Sequence, residues 1–296
     1  MTVERKLTIR EAYVEASSFL QGHEVSEASN CAELLLQHLL GWSRSEMLLR
    51  WQEMFPVELE GQWYELLKRK AAGEPVQYII GEQDFYGRTF KVTPAVLIPR
   101  PETELLVEQV VMLGTKLWPS QEASPLVADI GAGSGAIAVS LAAERPSWRL
   151  MSSDISSAAL AVAKANAERL GVAGRISFLE GDLLAPYIQQ GLRLDAVVSN
   201  PPYIPEEDEG GLMPEVRLFE PASALYGGKD GLVLYRRLIA QLKELTSMPS
   251  LVGLEVGMGQ AKAVSDMLAA VEAWDGIRLV PDLAGIDRHV IAWKRR

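Results

Sequence analysis

The chain has 296 residues, 48% hydrophobic, 23% charged and 7% aromatic, proportions that exclude collagen-like, disordered and low-complexity classes and supply ample apolar area for a core. Lysine and arginine total 29 against 39 acids, a formal charge of −10, a balance that argues against stable nucleic-acid binding. The single cysteine, Cys31, excludes an intrachain disulfide, and the three histidines, His23, His38 and His289, lack ligand spacing, so no metal site is expected. The start, Met1 to Lys6, lacks the apolar core of a signal peptide, and no apolar run approaches the ~18 residues of a membrane span, so a cytoplasmic protein without membrane contact is expected.

Taken in chain order, residues 1–75 read as short helices. Thr8 and Glu11 have capping-box spacing ahead of Ile9, Ala12, Tyr13, Ala16, Phe19 and Leu20 at helical intervals. A second helix is expected over 26–40, stopped by Gly41; Ser43 and Glu46 form another capping box that opens a short helix through Trp51. A fourth follows Pro56, carries Leu59, Trp63, Leu66 and Leu67, and stops at Gly73. Such short connections predict an antiparallel bundle in which the cysteine, histidines and tryptophans fill core or surface. Residues 76–94 alternate β-formers around Gly81 and Gly87 and predict a β-hairpin linking two domains.

Residues 95–296 alternate strands and helices. Strands are expected near 126–130, 149–153, 176–180, 196–199, 251–256, 277–280 and 290–293, and helices over 137–144, 158–170, 232–245 and 261–273. Seven strands alternating with helices predict an α/β, doubly wound, mainly parallel sheet covered on both faces.

Val127 through Ala136 follow the first of these strands and lead into a helix. Gly131, Gly133 and Gly135 permit a tight turn and let a ligand approach backbone N–H groups at the helix N-terminus. Asp154 closes the second strand, where a carboxylate can accept both hydroxyl hydrogens of a ribose, and Asp182 closes the third, where it could meet an adenine amino group. Gly131, Gly133 and Ala136 also satisfy the dinucleotide pattern, so the loop alone permits NAD; Asp129, two residues before the first glycine, suits S-adenosylmethionine.

Asn200-Pro201-Pro202-Tyr203 sits at the carboxyl end of the fourth strand, the edge where open parallel sheets hold ligands. The Asn200 side-chain oxygen and the Pro201 carbonyl can together receive both hydrogens of a planar NH₂ group, and Tyr203 offers a face for stacking. An amide or exocyclic nitrogen is a poor nucleophile; acceptors on both N–H bonds orient it and support the positive charge that develops as it takes a methyl group. Catalytic roles are therefore expected at Asn200, Pro201, Pro202 and Tyr203.

At this point the chain resembles the class I S-adenosylmethionine-dependent methyltransferases, with their Rossmann-like sheet, and within them the bacterial protein-(glutamine-N5) methyltransferases that modify peptide chain release factors. The resemblance spans nearly the whole length. It rests on the stretches 73–81 and 85–87, on Leu97-Ile98-Pro99-Arg100-Pro101-Glu102-Thr103-Glu104, on 129–138 and on 199–204. It implies cofactor contacts from Gly131, Ala132, Gly133, Ser134, Gly135, Asp154, Asp182 or its neighbour Leu183, and Asn200. It implies substrate contacts from Asn200 to Tyr203, with Phe85 and Arg100 lining a cleft. The implied substrate is the glutamine of the Gly-Gly-Gln motif of release factors, the implied product S-adenosylhomocysteine, and the 1–75 bundle becomes a substrate-docking domain.

Two other readings of the residues stay open: a nucleic-acid exocyclic-amine methyltransferase (adenine N6 or guanine N2), and a non-catalytic nucleoside-binding module. Residues 1–91 hold ten basic and fourteen acidic side chains, a net −4 that leaves −6 for the remainder, so neither half offers a broad basic face for a duplex. The long connection 204–223, with its acids at 206–209, reads as a solvated loop or as a lid that orders with substrate.

Overall fold

The computed structural model describes residues 7–120, 122–272 and 274–295; the expectations at Met1–Lys6 and at the last residue of the 261–273 helix lie outside the described residues. The chain divides into two compact units. One runs through Glu82 and includes Met213–Phe219; the other holds Gln83–Leu212 and the chain from Glu220 on.

In the first unit, α1 (Ile9–Gly22), α2 (Ala28–Leu40), α3 (Arg44–Leu49) and α4 (Glu60–Ala71) follow the pattern of caps and apolar stripes in the sequence. The Thr8 hydroxyl accepts the Glu11 N–H at 3.2 Å while the Glu11 carboxylate accepts the Thr8 N–H at 2.8 Å. Ser43 and Glu46 repeat the arrangement at 3.3 and 2.8 Å. Each such cap contributes about 1 kcal/mol to a helix too short to stand alone. Gly41 ends α2 in the left-handed region, φ +67°. Ile9, Ala16 and Leu20 of α1 close a core with Cys31, Leu35, Leu36, Met47, Trp63 and Leu67.

Residues 76–80 depart from the expected hairpin. They form a five-residue helix, α5 (Val76–Ile80), that starts after Pro75 and stops at Gly81, φ +80°. Val76 and Ile79 enter the same core as α2 and α4, and that burial outweighs the β preference of Val and Ile. The hairpin itself is shorter: β1 (Glu82–Phe85) and β2 (Arg88–Lys91) joined by Tyr86 and Gly87, both left-handed as a two-residue turn requires.

In the second unit α6 (Pro101–Leu117), a helix outside the expected elements, leads into β3 (Leu126–Ile130), α7 (Ala136–Glu144), β4 (Arg149–Asp154), α8 (Ser157–Arg169), β5 (Ile176–Glu180), α9 (Ala185–Gln189) and β6 (Ala196–Ser199). After β6 the 204–223 connection is structured rather than a bare loop: it contains a 3₁₀ stretch at Glu206–Gly211 and α10 (Pro214–Phe219). α10 belongs to the first unit, where the buried Lys70 ammonium donates to Glu215 at 2.7 Å and to the Glu74 carbonyl at 3.1 Å. The chain then continues through α11 (Val233–Leu242), β7 (Leu251–Glu255), α12 (Ala261–Ala269), β8 (Gly276–Pro281) and β9 (Asp287–Trp293).

The seven strands lie in the order β5-β4-β3-β6-β7-β9-β8. The β5-to-β7 portion is parallel, and β9 runs antiparallel to both of its neighbours. Alternate residues feed opposite faces, as strand geometry demands. Val127, Leu150, Val198 and Leu251 pack with α6 and α7, whereas Ala128, Met151, Val197 and Val252 pack with α11 and α12. Because β3 and β6 are adjacent, the loops leaving their carboxyl ends emerge side by side at the point where the strand order reverses.

Candidate active site

Those loops surround a cavity of about 360 Å³ within the second unit, in the size range of small-molecule sites. Its floor is the glycine turn after β3. Gly131 and Gly133 have φ of +84° and +50°, and a side chain at either would find open space rather than protein, so both leave room for a ligand against the backbone. Gly135 serves differently. It caps α7 at φ +83°, and a Cβ there would stand 3.1 Å from Ala163, so this glycine permits helix contact and lies outside the cavity wall. Ala132 and Ser134 line the cavity. The buried Asn166 amide anchors the turn by donating to the Ser134 carbonyl at 2.8 Å and to the Lys91 carbonyl at 2.9 Å.

Most N–H groups of the turn already have protein acceptors. Gly131 and Ala132 both donate to the Ser153 carbonyl at 2.8 Å, Gly133 donates to the Asp154 carboxylate at 2.9 Å, and Gly135 donates to Ala132 at 2.7 Å. Asp154 therefore stands at the end of β4 with one oxygen on Gly133 and the other on the Ser156 N–H at 2.9 Å. Each oxygen keeps a lone pair for a further donor. Beside it Ile155, 66% exposed, and Leu183 supply apolar surface to the cavity. Asp182 also lines the cavity, but its carboxylate is ion-paired with Arg237, which leaves less of it available to an amino group than the sequence implied.

Asn200, Pro201 and Pro202 form the wall next to the glycine turn, at the end of β6. The Ser199 hydroxyl donates to the Ile130 carbonyl at 2.6 Å and ties this strand end to β3. The Asn200 amide nitrogen donates to the Thr103 hydroxyl at 3.1 Å. The loop beyond is fixed by glycines. A Cβ on Gly227 would lie 2.5 Å from the Pro202 carbonyl oxygen, and one on Gly231, φ +71°, would lie 2.2 Å from that of Tyr203. Gln260 completes the hold by donating to the Tyr203 carbonyl at 2.9 Å. The Gly227–Gly231 stretch is thus the backing plate of the Asn200–Tyr203 turn.

Besides Gly135, three residues singled out in the sequence stand elsewhere. Asp129 is fully buried under the turn, accepting the Ser152 hydroxyl at 2.9 Å, and burial pushes its carboxyl up to about 8; it supports β3 and does not face the cavity. Phe85 is buried in the core edge-on to Phe90, because its place in the hairpin turns it onto the sheet unit's own interior. Tyr203 packs against the α11 side of the sheet outside the cavity wall, its phenol pushed up to about 12 by burial. Arg100 does line the cavity, where the buried Glu220 carboxylate holds its guanidinium while also accepting the Ile98 N–H at 3.2 Å. The sequence reading missed Thr103, Arg237 and Glu255. The signal for Glu255 was present, a carboxylate inside the otherwise apolar run Leu251–Val256. Among the described residues no group of His, Cys, Asp and Glu could hold a metal.

A doubly wound sheet whose cavity joins a glycine turn to the Asn200–Pro202 strand end is the architecture of a methyltransferase, and the family model described as "Methyltransferase small domain" matches residues 103–236. A second, described as "PrmC N-terminal domain", matches residues 11–81. Human METTL16, whose N-terminal domain was solved in complex with SAH, shares the fold at a TM-score of 0.53 and 18% identity, over 77% of this chain and 84% of that one. The release factor glutamine methyltransferase of Moorella thermoacetica is 44% identical over 289 residues, covering 98% of this chain and 99% of that protein. That of Bacillus anthracis is 41% identical over 286 residues, covering 97% and 99%. The chain belongs to the release factor glutamine methyltransferase family.

Proposed function

We propose that the protein transfers a methyl group from S-adenosylmethionine to the side-chain amide nitrogen of the glutamine in the Gly-Gly-Gln motif of peptide chain release factors. The observation that carries this reading is the placement of Asn200 and Pro201 in the same cavity wall as Gly131, Gly133 and Asp154, in a chain of this family.

The residues fit the cofactor. Gly131 and Gly133 leave the space that a Cβ would fill, and Asp154 has lone pairs for the ribose hydroxyls. Ile155 and Leu183 offer apolar faces to the base. The N–H groups of Gly131, Ala132, Gly133 and Gly135 are engaged within the protein, so the turn has little to offer a pyrophosphate and suits a nucleoside that carries an amino acid instead. When bound, the cofactor supplies an electrophilic sulfonium methyl.

What remains for the chain is to present the amide. The Asn200 oxygen and the Pro201 carbonyl accept its two hydrogens, fix the plane of the group and stabilise the positive charge that develops on nitrogen. Neither needs to act as a strong base: once the N–C bond has formed and the C–S bond has broken, leaving S-adenosylhomocysteine, the N-methylated amide is a strong acid and releases one N–H proton to solvent. We assign the docking of the release factor to the N-terminal helical unit, which exposes Leu48, Leu49 and Met54 on and just after α3. Among the described residues no helix is long and apolar enough to cross a membrane. Incubation with labelled S-adenosylmethionine and, separately, release factor, DNA and ribosomal RNA tests the reading: label should enter the release factor alone.

A further inference from the structure

We propose that Thr103 and Glu255 are positioning residues for the transfer, holding the Asn200 amide with its nitrogen turned into the protein and its oxygen left to the substrate. The inference rests on the role assigned above to Asn200.

Thr103 opens the buried stripe of α6, one turn before Leu106, and Glu255 lies on the β7 face that α6 covers, in phase with Leu251 and Gly253. A Cβ on Gly253 would touch Leu106 at 3.2 Å, so helix and strand meet closely here. The Thr103 hydroxyl donates to the Glu255 carboxylate at 2.7 Å, and the Asn200 nitrogen donates to that hydroxyl at 3.1 Å. Glu255 is 2% exposed, and its backbone carbonyl accepts the Tyr235 hydroxyl at 2.7 Å, which pins the strand end.

The direction of this chain follows from counting hydrogens. An ionised carboxylate only accepts, so the single hydroxyl hydrogen of Thr103 goes to Glu255. Thr103 then has only lone pairs for Asn200, which must meet it with NH₂ and keep its oxygen for the cavity. An asparagine free to flip would present NH₂ to the NH₂ of the substrate, donor against donor.

Burial pushes Glu255 up to about 7. The groups facing it are the Asn200 amide, which also hydrogen-bonds the carboxylate and so meets it with NH₂ as well, Glu102 on α6, Tyr203, Tyr235 on α11, and Arg288 and His289 on β9; His289 stands 3.9 Å away, and burial holds its pKa below the usual value. Below about pH 7 the protonated Glu255 can itself donate to Thr103, and the direction is no longer enforced.

The test is single-turnover methyl transfer to release factor from pH 6 to 8.5, with both sites saturated, on the parent, Asn200→Ala, Thr103→Val, Thr103→Ser and Glu255→Gln. Calorimetric S-adenosylmethionine affinity and thermal melts accompany it. Thr103→Val should slow transfer by about 10- to 100-fold, the scale of losing one aimed polar contact, with cofactor affinity within about threefold of parent. Thr103→Ser should restore most of the rate. The parent rate should rise through pH 7, and that rise should vanish in Glu255→Gln. Thr103→Val at the parent rate, beside a slow Asn200→Ala, overturns this inference alone, as does an unaltered pH rise in a folded Glu255→Gln. Asn200→Ala at the parent rate overturns the reading of the site itself.

Discussion

Asp154→Ala should separate cofactor binding from folding. The carboxylate accepts the Gly133 and Ser156 N–H groups at 2.9 Å each, two bonds made within the protein itself. Their loss therefore lowers stability and loosens the glycine turn in the free protein. The lone pairs left over are what the ribose hydroxyls would use. Hydrogen bonds to a charged group contribute about 1.5–3 kcal/mol, so losing them should weaken S-adenosylmethionine binding roughly 10- to 150-fold. Calorimetric titration reads this directly. A thermal melt gives an independent check, because a ligand at 100 times its Kd stabilises by about 2.7 kcal/mol, whereas one at its Kd gives only about 0.4. At 100 times the parent Kd, the variant should therefore gain only about 0.3 to 1.4 kcal/mol. An unchanged affinity in a folded Asp154→Ala protein would refute the ribose role and the reasoning that placed the cofactor over this turn.

Other consequences are equally specific. Asn200→Ala, at a strand end rather than in the core, should fold and lose less in cofactor affinity than in turnover, where single-turnover rate should drop about 100- to 1,000-fold, about 3–4 kcal/mol of barrier; near-parental transfer would contradict the amide clamp. Gly231→Ala should displace the Asn200–Tyr203 turn, since its Cβ would sit 2.2 Å from the Tyr203 carbonyl oxygen at φ +71°; a soluble variant with parental rate and melting temperature would remove that turn's dependence on the glycine. Stability should fall as pH rises. Glu255 and Asp129 are raised in the folded state, to about 7 and about 8, so the protons they retain favour folding at low pH, and that contribution is lost as pH climbs through those values. For Glu255 alone the change from its usual 4.5 corresponds to roughly 3 kcal/mol between acid and alkaline conditions. Denaturant unfolding at pH 5.5 and 8.5 should show a smaller difference in Glu255→Gln than in the parent; equal differences would show that Glu255 does not titrate in this way.

Local signals carried much of the fold. The capping boxes at Thr8 and Ser43 and the stop at Gly41 mark helices because they satisfy end groups that nothing else nearby satisfies. The strand-turn-helix at Gly131 and the Asn200 turn are likewise readable, since their chemistry lies in consecutive residues. What escaped depended on distant partners. Val76–Ile80 carries β-formers, and only the core it shares with α2 and α4 makes it a helix. Phe85 and Tyr203 carry aromatic faces suited to a site, but the hairpin turns one into the core and the Gln260 contact draws the other behind the cavity. Thr103 and Glu255 are 152 positions apart, and no local pattern announces that they share a hydrogen bond.

The most direct test of the account is mass-spectrometric mapping of the methyl group after incubating the protein with S-adenosylmethionine and an unmodified release factor, with DNA and ribosomal RNA tested in parallel at low salt. The account predicts one methyl group on the side chain of the glutamine in the Gly-Gly-Gln motif, and none on either nucleic acid. Transfer to a nucleic acid with an unmodified release factor would contradict it.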